Sequence, residues 1–251
     1  TTYSAYVTLF NTDLLPAFGK YSINQIKQID LQVFINRYTE KELYRTAQKL
    51  YQLLNALFEY AVSDEIINRN PMKLIKIPVY EQEHGVPLTR TEEKEFIVNF
   101  RKSNDLFFQA YVLMLYTGIR RSEIHSLNYN EKWIIVTTAK QRKGKAEKQR
   151  KIPISPMLQN EISHIKIDEI KKLPLDGLTR NFKKICPTHH LHDLRHTFIT
   201  RCQECGIQRE IVSLWAGHAA DSSVTSTVYT HLEQYTQNQI AEIKKFSYIL
   251  Q

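Results

Sequence analysis

Residues 39–62 read TEKELYRTAQKLYQLLNALFEYAV, and apolar side chains recur in this stretch at steps of three and four. The recurring positions are Leu43, Ala47, Leu50, Leu54, Leu57, Phe58 and Ala61. Because an α-helix completes a turn about every 3.6 residues, this spacing places all of them on one face. The stretch therefore predicts a long amphipathic helix within a helical bundle that spans residues 1–80.

The opposite face of this predicted helix is cationic and rich in side-chain amides. It carries Lys41, Arg45, Gln48, Lys49 and Gln52. Lys and Arg reach phosphates and Gln reads base edges, so the face suits the major groove of DNA. The alternative is an ordinary solvated face, which is the commoner reason for such a pattern. Shorter helices are expected upstream, one capped by Ser22 and one by Asp30.

Helix-breaking residues mark the end of this helical domain. They are Pro71, Pro78, Gly85 and Pro87. The apolar period is lost among them, so we expect a linker at 81–88. A new helix then begins with Thr89 as its N-cap and Glu92 three residues later, a capping-box pattern. The second domain is expected to span 89–251.

The second domain combines helices with two strands. Residues 104–116 predict a buried helix, and the β-branched and aromatic runs at 133–138 and 151–154 predict strands of an antiparallel pair. Further helices are predicted at about 156–172, 177–185, 193–205, 208–216 and within 233–248. The predicted fold is mainly α with a small antiparallel β-sheet, arranged as an N-terminal helical bundle and a C-terminal α+β domain.

Positive charge is concentrated in the second half of the chain. The net charge is +8, but residues 140–201 hold 15 Lys and Arg against 6 Asp and Glu. The predicted hairpin tip at 140–151 has seven basic residues and one acidic residue. Such a field attracts polyanions, most often nucleic acid, although it can also serve only to keep a protein in solution.

Several classes of protein are disfavoured. Three cysteines are too few for a disulfide framework, which favours a reducing cytoplasm. The longest dense apolar run, 106–116, is shorter than the roughly 18 residues that cross a bilayer, so no membrane is expected. The chain begins without Met and without a signal segment, so we expect that a further N-terminal domain is missing.

A zinc site is the metal alternative. Cys202 and Cys205 form a CxxC pair, and His192 and His196 share one helix face. The cysteine pair lies inside a predicted helix without the turn that lets CxxC chelate a metal. No metal and no cofactor is therefore expected.

Three separated strings instead suit a phosphate group. TGIRRSEIHSL (117–127) places Arg120 at a helix start with Glu123 one turn on. HHLHDLRHTF (189–198) contains His192 and Arg195 in an H-x-x-R pattern. WAGHAADSSVTSTVYTHL (215–232) contains a histidine after a glycine and a tyrosine eleven residues later.

These strings, in this order and in a basic two-domain chain, resemble the tyrosine recombinase family of phage-integrase type. The resemblance covers nearly the whole chain and implies site-specific cutting and rejoining of DNA strands. The catalytic residues that it implies are Arg120, Lys140, His192, Arg195, His218 and Tyr229. In this scheme the arginines and histidines stabilise the transition state. His192 also helps Tyr229 to lose its proton, Tyr229 attacks phosphorus and Lys140 protonates the leaving oxygen.

Two departures from the family pattern affect single assignments. The distance from His218 to Tyr229 is about two residues longer than usual, which leaves Tyr235 as a second candidate nucleophile. The hairpin has many basic residues, so Lys143 and Lys145 are alternatives to Lys140. These two and Arg142 are also expected to contact DNA.

The resemblance also implies partners. We expect double-stranded DNA at attachment or element-end sites, and a homotetramer on DNA whose C-terminal tail is exchanged between protomers through Phe246, Tyr248, Ile249 and Leu250. An accessory DNA-bending or excision factor and a location at the nucleoid in the cytoplasm of a bacterial host are further expectations. The alternatives are a type IB topoisomerase-like enzyme, which relaxes DNA without pairing sites, and a non-catalytic DNA-binding regulator.

Overall fold

Helices dominate the computed structural model, which describes residues 2–78, 85–103, 105–137, 149–217 and 236–248. The chain forms two units, residues 1–83 and 84–251. The N-terminal unit is helical, and the C-terminal unit adds a three-stranded antiparallel sheet. The predicted fold class is confirmed.

The N-terminal unit is built around two helices. Its elements are α1 (Thr2–Leu9), a π-helical turn (Phe10–Leu14), α2 (Leu15–Phe18), a 3₁₀ turn (Ile23–Gln25), α3 (Gln28–Thr39), α4 (Tyr44–Ser63) and a second 3₁₀ turn (Pro71–Leu74). The apolar faces of α3 and α4 share one core, in which Leu31, Ile35, Leu50 and Phe58 are fully buried. This burial is the main force that fixes the unit, because apolar area leaves water.

The start of the predicted long helix is wrong. Thr39 ends α3, and α4 begins only at Tyr44. Between them Glu42 has a φ of 57°, a left-handed conformation that interrupts any helix. Lys41 and Leu43 therefore lie in an exposed turn and not on the helix.

The expected cap at Asp30 is also wrong by one turn. The helix α3 begins at Gln28, and the Asp30 carboxylate accepts a hydrogen bond of 3.0 Å from the backbone N–H of Lys27. Asp30 thus stabilises the helix start from inside the first turn, where a negative charge is favourable.

The C-terminal unit surrounds one apolar helix. Its helices are α5 (Arg90–Lys102), α6 (Leu106–Thr117), a 3₁₀ helix (Arg121–Ser126), α7 (Pro156–Gln159), a 3₁₀ turn (Ile162–His164), α8 (Ile167–Ile170), α9 (Leu175–Ile185), α10 (Asp193–Glu204), α11 (Arg209–Ala216) and α12 (Thr236–Ile243). Helix α6 is buried from Gln109 to Thr117 and packs against α10. The Thr89–Glu92 capping box at the start of α5 is confirmed, with Thr89 N–H donating to the Glu92 carboxylate at 2.7 Å.

The sheet consists of β1 (Asn128–Tyr129), β2 (Trp133–Thr137) and β3 (Gln149–Pro153) in that order, all antiparallel. Both predicted strands are present, and the two-residue β1 is an addition. Residues alternate between the core and solvent, with Ile134 paired to Ile152 on the buried face. Thr137 pairs with Gln149.

The single helix predicted at 156–172 is wrong. The segment forms the short helices α7 and α8 with a 3₁₀ turn between them. Tertiary contacts replace the helical bonds, because the N–H of Lys166 donates to the Gln109 side chain at 2.8 Å and buried Glu161 accepts from Arg101 at 2.5 Å. The last predicted helix, within 233–248, is present as α12 and ends at Ile243.

The residues after α12 pack on their own unit. Phe246 is fully buried, and its ring lies 5.3 Å from that of Phe198 and 6.4 Å from that of Tyr116. The Tyr248 hydroxyl donates to Glu93. In this single chain the two residues pack on the core of their own unit, and the expected docking of the tail on a neighbouring protomer stays a prediction. Ile249 and Leu250 lie outside the described residues.

A buried ion pair anchors this tail to the start of the unit. Arg201 donates to Glu93 at 2.8 Å and to the carbonyl of Leu88 at 2.6 Å. The Arg90 guanidinium lies 4.1 Å above the Tyr248 ring. Through the whole described part of the chain, no helix is long and apolar enough to span a membrane.

Candidate active site

A glycine positions the first predicted arginine. Gly118 follows α6 with a φ of 64°, and its N–H donates to the carbonyl of Met114 at 2.9 Å. A Cβ atom there would lie 2.4 Å from the Phe198 ring, so only glycine fits without displacement. The turn delivers Arg120 to the start of the 3₁₀ helix 121–126.

Arg120 is held by a carboxylate and by the end of α11. Its backbone N–H donates to Glu123 Oε2 at 2.7 Å, and its Nη1 donates to Glu123 Oε1 at 3.1 Å. Its Nη2 donates to the carbonyl of Gly217 at 2.8 Å. The side chain stays one quarter exposed, so it is fixed in direction and still reachable from solvent. The orienting role predicted for Glu123 is present in the structure.

A further arginine, Arg150 on β3, joins the same carboxylate. Its Nη1 and Nη2 donate to the two oxygens of Glu123, each at 2.7 Å, and its Nε donates to the carbonyl of Trp215 at 2.7 Å. These contacts lower the pKa of Glu123 against the opposing effect of burial, so the carboxylate stays ionised. Sequence reasoning missed this residue because it counted Arg150 among the basic residues of the hairpin tip. The alternation of β3 was the available signal.

Arg195, the arginine of the H-x-x-R string, is buried without a carboxylate partner among the described residues. It is 2% exposed, and its Nη1 donates to the carbonyl of Gly118 at 2.6 Å. Its Nη2 is buried and meets no hydrogen-bond acceptor in the described part of the chain. Burial and the charges of Arg120 and Arg150 lower its pKa to about 9. Arg195 is therefore still a cation at neutral pH, although its surroundings disfavour the charged form.

His192 stands at the start of α10, beside Arg195. It is accessible to solvent, and its ring makes an edge contact with His196 at 5.0 Å between centroids. Partial burial lowers the pKa of His192, and the neighbouring His196, Arg195 and Arg120 lower it further. The imidazole is therefore neutral at pH 7 and able to accept a proton.

The described part of this site has an excess of positive charge. Three guanidiniums, those of Arg120, Arg150 and Arg195, act on one carboxylate, that of Glu123. An unsatisfied guanidinium donor in such a field is matched by an oxyanion, which accepts charge-assisted hydrogen bonds from planar donors. Chemically, the arrangement can bind a phosphate and stabilise additional negative charge on it.

Not all predicted site residues can be placed. Arg120, His192 and Arg195 are brought together, as their mutual electrostatic effects show. Lys140, Arg142, Lys143, Lys145, His218 and Tyr229 lie outside the described residues, as does Tyr235. The chain reaches the edge of that gap at Gly217, whose carbonyl contacts Arg120.

In the N-terminal unit, the predicted DNA-reading residues are on the surface. Arg45, Gln48, Lys49 and Gln52 are exposed on α4, opposite the buried stripe. Lys41 lies apart from them in the turn before the helix. The four helical residues thus form one continuous polar face, which we call the α4 face.

A second basic surface, which the sequence reasoning did not single out, lies on α9. Arg180, Lys183 and Lys184 are exposed there. Arg121, the neighbour of Arg120, donates to the Thr179 hydroxyl at 2.7 Å and so connects this surface to the candidate site. The strong amphipathic pattern of 175–185 was the signal that could have found it.

The cysteines are unpaired, and Cys202 packs in the apolar core of the C-terminal unit. Burial raises the pKa of its thiol well above the usual value. No cluster of three or more His, Cys, Asp or Glu side chains within the described ranges could hold a metal ion.

Comparisons with known sequences match nearly the full chain. Residues 2–77 match the phage integrase central domain family. A tyrosine recombinase of Thermosipho africanus (strain TCF52B) is 25% identical over 97% of this chain and 96% of its own length. The tyrosine recombinase XerC of Bacillus subtilis (strain 168) is 26% identical over 92% of this chain and 88% of its own length.

Solved structures share the fold. The Tn1549 transposon integrase in complex with transposon right end DNA has a TM-score of 0.64 and 20% identity, covering 93% of this chain and 92% of that one. A lambda integrase dimer bound to a COC′ core site has a TM-score of 0.70 and 15% identity, covering 88% and 89%. Similarity of sequence and of fold thus extends over both units.

Proposed function

We propose that this chain, which is similar to tyrosine recombinases over nearly its whole length, is itself a tyrosine recombinase and acts as a site-specific recombinase through a 3′-phosphotyrosyl intermediate. The observation that carries the proposal is the buried cation Arg195, whose Nη2 meets no acceptor among the described residues and whose pKa is lowered by burial and by the charges of Arg120 and Arg150. A DNA phosphate supplies the acceptor and the negative charge that this donor lacks.

The two arginines address the difficulty of attacking a phosphodiester. Its anionic oxygens repel nucleophiles, and more negative charge develops as phosphorus becomes five-coordinate. Arg120 and Arg195 are fixed by backbone carbonyls and by Glu123, so they stabilise this charge without reorganising during the reaction.

The remaining roles fall to His192, Tyr229 and Lys140. Neutral His192 accepts the proton of the Tyr229 phenol, whose oxygen attacks phosphorus while the 5′ oxygen of the DNA leaves. Lys140 gives a proton to that leaving oxygen, and His218 donates a hydrogen bond to the phosphate. Attack by the 5′-hydroxyl of another strand reverses these steps, so no ATP or metal is consumed.

DNA binding requires more than the phosphate at the reaction centre. We assign the α4 face to the DNA major groove and the basic residues Arg142, Lys143 and Lys145 to the phosphate backbone. Support comes from the exposure of Arg45, Gln48, Lys49 and Gln52. Affinity should fall steeply with salt, since each phosphate contact releases counterions.

The assembly that follows from this reaction is a homotetramer on two DNA duplexes. Support comes from one structural neighbour, a lambda integrase tetramer bound to a Holliday junction. We place the reaction at the ends or attachment sites of a phage or other mobile element in a bacterial cytoplasm, with an accessory DNA-bending or excision factor. We also propose that the C-terminal tail is exchanged between the protomers of this tetramer.

The test is capture of the covalent intermediate. A library of nicked duplexes with randomised centres is incubated with the protein, and adducts that survive SDS are isolated and sequenced. Wild type should give adducts on one sequence family, Tyr229→Phe none and Tyr235→Phe wild-type amounts. Adducts that persist in Tyr229→Phe would refute the assigned nucleophile. Relaxation of every supercoiled plasmid regardless of sequence would instead favour a topoisomerase.

A further inference from the structure

We infer that Arg150 is a positioning residue for the strand-transfer reaction, acting on the substrate phosphate through Glu123 and Arg120. The inference rests on the proposed function, because it concerns the same phosphate site. Arg150 touches no reacting group among the described residues. Its three hydrogen bonds instead determine where Arg120 points and how much of its positive charge remains for a ligand.

The first step concerns direction. Arg150 is 5% exposed, and its guanidinium faces both oxygens of Glu123 at 2.7 Å, a bidentate contact that fixes the plane of the carboxylate. The same Glu123 oxygens accept the backbone N–H and the Nη1 of Arg120. Arg150 on β3 therefore holds, through one carboxylate, the arginine at the start of the 3₁₀ helix 121–126.

The second step concerns charge. Glu123 is fully buried, and its contacts with Arg150 are shorter than the 3.1 Å contact with the Arg120 side chain. Arg150 thus neutralises much of the charge of the carboxylate, so that Glu123 compensates less of the charge of Arg120. Without Arg150, the ionised Glu123 would have Arg120 as its remaining partner among the described guanidiniums, and Arg120 would be drawn away from the phosphate.

The third step concerns the end of α11. Arg150 Nε donates to the Trp215 carbonyl, while Arg120 Nη2 donates to the Gly217 carbonyl. A Cβ atom on Gly217 would lie 3.1 Å from Arg150 Nε, so the two groups are in close contact. Both guanidiniums bind carbonyls at the negative end of this helix, which fixes the chain just before His218.

The experiment compares single-turnover cleavage of two versions of the duplex found by adduct capture. One carries the natural scissile phosphate, and the other carries a methylphosphonate, in which a methyl group replaces one charged oxygen. Removing that charge removes much of the need for a well-placed cation. Arg150→Met should slow cleavage of the natural phosphate about 100-fold relative to wild type, the scale of a misplaced reactant. On the methylphosphonate this ratio of wild-type to variant rate should be at least about tenfold smaller. Arg120→Ala should show the same reduction of its rate ratio on the methylphosphonate.

Arg201→Met is the matched control. Arg201 is as buried as Arg150 and pairs with the fully buried Glu93, but its other hydrogen bonds go to Glu204 and to the carbonyl of Leu88. Its substitution should lower the melting temperature to a similar extent. Any loss of cleavage should be the same on both substrates, because no misplaced cation is involved.

Arg150→Lys covers the case in which Arg150→Met does not fold. Lysine keeps the charge but cannot bind both Glu123 oxygens and the Trp215 carbonyl together. Arg150→Lys should therefore also cleave the natural phosphate more slowly than wild type, and this deficit should be smaller on the methylphosphonate. Wild-type cleavage by either folded variant, or equal losses on both substrates, would overturn the inference. Failure of the wild-type protein to form any Tyr229 adduct would instead count against the proposed function.

Discussion

In the proposed function, Arg195 binds an anion at a cost in folding stability. Its guanidinium is buried, and the described structure offers its Nη2 no acceptor. We expect Arg195→Met to slow adduct formation at least about 100-fold, the cost of removing one transition-state donor. Because the substitution removes an uncompensated buried charge, the melting temperature should stay the same or rise.

Two measurements test this prediction on the same variant. Single-turnover adduct formation gives the rate, and fluorescence anisotropy at fixed salt gives DNA affinity, which should change much less than the rate. A parallel loss of rate, affinity and melting temperature would mean that Arg195 is a structural residue.

If His192 is the general base that we propose, the cleavage rate should depend on pH. A general base works in its neutral form, so the rate should rise as His192 loses its proton and then level off. Since the pKa of His192 is lowered, the half-maximal rate should lie below the usual value of about 6.5. His196→Gln removes one group that lowers this pKa and should move the acidic limb to higher pH.

The pH profile of single-turnover adduct formation is the measurement, with Arg195 intact in all proteins. A profile that first rises above pH 7, or one that His196→Gln leaves in place, would contradict the role of base. DNA affinity measured across the same range separates protonation of the site from loss of binding.

At the residue scale, the sequence motifs predicted the members of the site better than their partners. Arg120, Glu123, His192 and Arg195 stand in short local strings, so their types and spacing could be read directly. Arg150 could not be found in this way, because its role depends on the pairing of β3 with β2 and on the distant end of α11. Residues that meet only in the folded protein form no short motif that could be recognised in the sequence.

Gly118 shows how one element boundary supports the site. It and Gly206 both have a positive φ, 64° and 71°, but only at Gly118 does a Cβ meet another side chain, that of Phe198. Gly206→Ala should therefore cost about 1–2 kcal/mol, the strain of a left-handed alanine. Gly118→Ala should cost about 1–3 kcal/mol more, because Phe198 must also move.

Urea denaturation of the two variants gives both free energies of unfolding. Gly118→Ala should in addition slow cleavage, since Arg120 follows two residues later and Arg195 donates to the Gly118 carbonyl. Equal losses of stability in the two variants would show that the Phe198 contact is relieved at no cost.

At the element scale, local signals succeeded and long-range ones failed. The start of α5 was predictable because the capping box spans only Thr89 to Glu92. The helix predicted at 156–172 failed because contacts with Gln109 and Arg101, more than fifty residues away, outweigh its helical tendency. The break at Glu42 could not be predicted, because the apolar spacing of the sequence continues across it.

At the scale of the whole molecule, the tail completes the core of the C-terminal unit. Phe246→Ala should cost about 3–5 kcal/mol, the range for truncating a buried aromatic residue, because its ring contacts Tyr116, Phe198 and Tyr248. Tyr129→Ala, on a half-exposed edge residue, should stay within about 0.5 kcal/mol. Urea unfolding followed by a signal from this unit distinguishes them, and a small cost for Phe246→Ala would mean that the tail is only loosely attached.

The two-unit organisation and mainly helical class were accessible from the sequence, because helical periodicity and helix breakers are visible along the chain. The packing of the tail was not. An apolar segment near the end of a sequence has the same pattern whatever it packs against, and only the structure shows the rings that surround Phe246.

The tie between Arg201, Glu93 and Tyr248 has a topological consequence. It holds the first residues of the C-terminal unit, near Leu88, close to the last described residues of that unit. A circular permutant that joins residue 248 to residue 85 through a short glycine-serine bridge, and opens the exposed turn at 130–132, should retain this architecture. The connectivity of the unit could then be changed without changing its contacts.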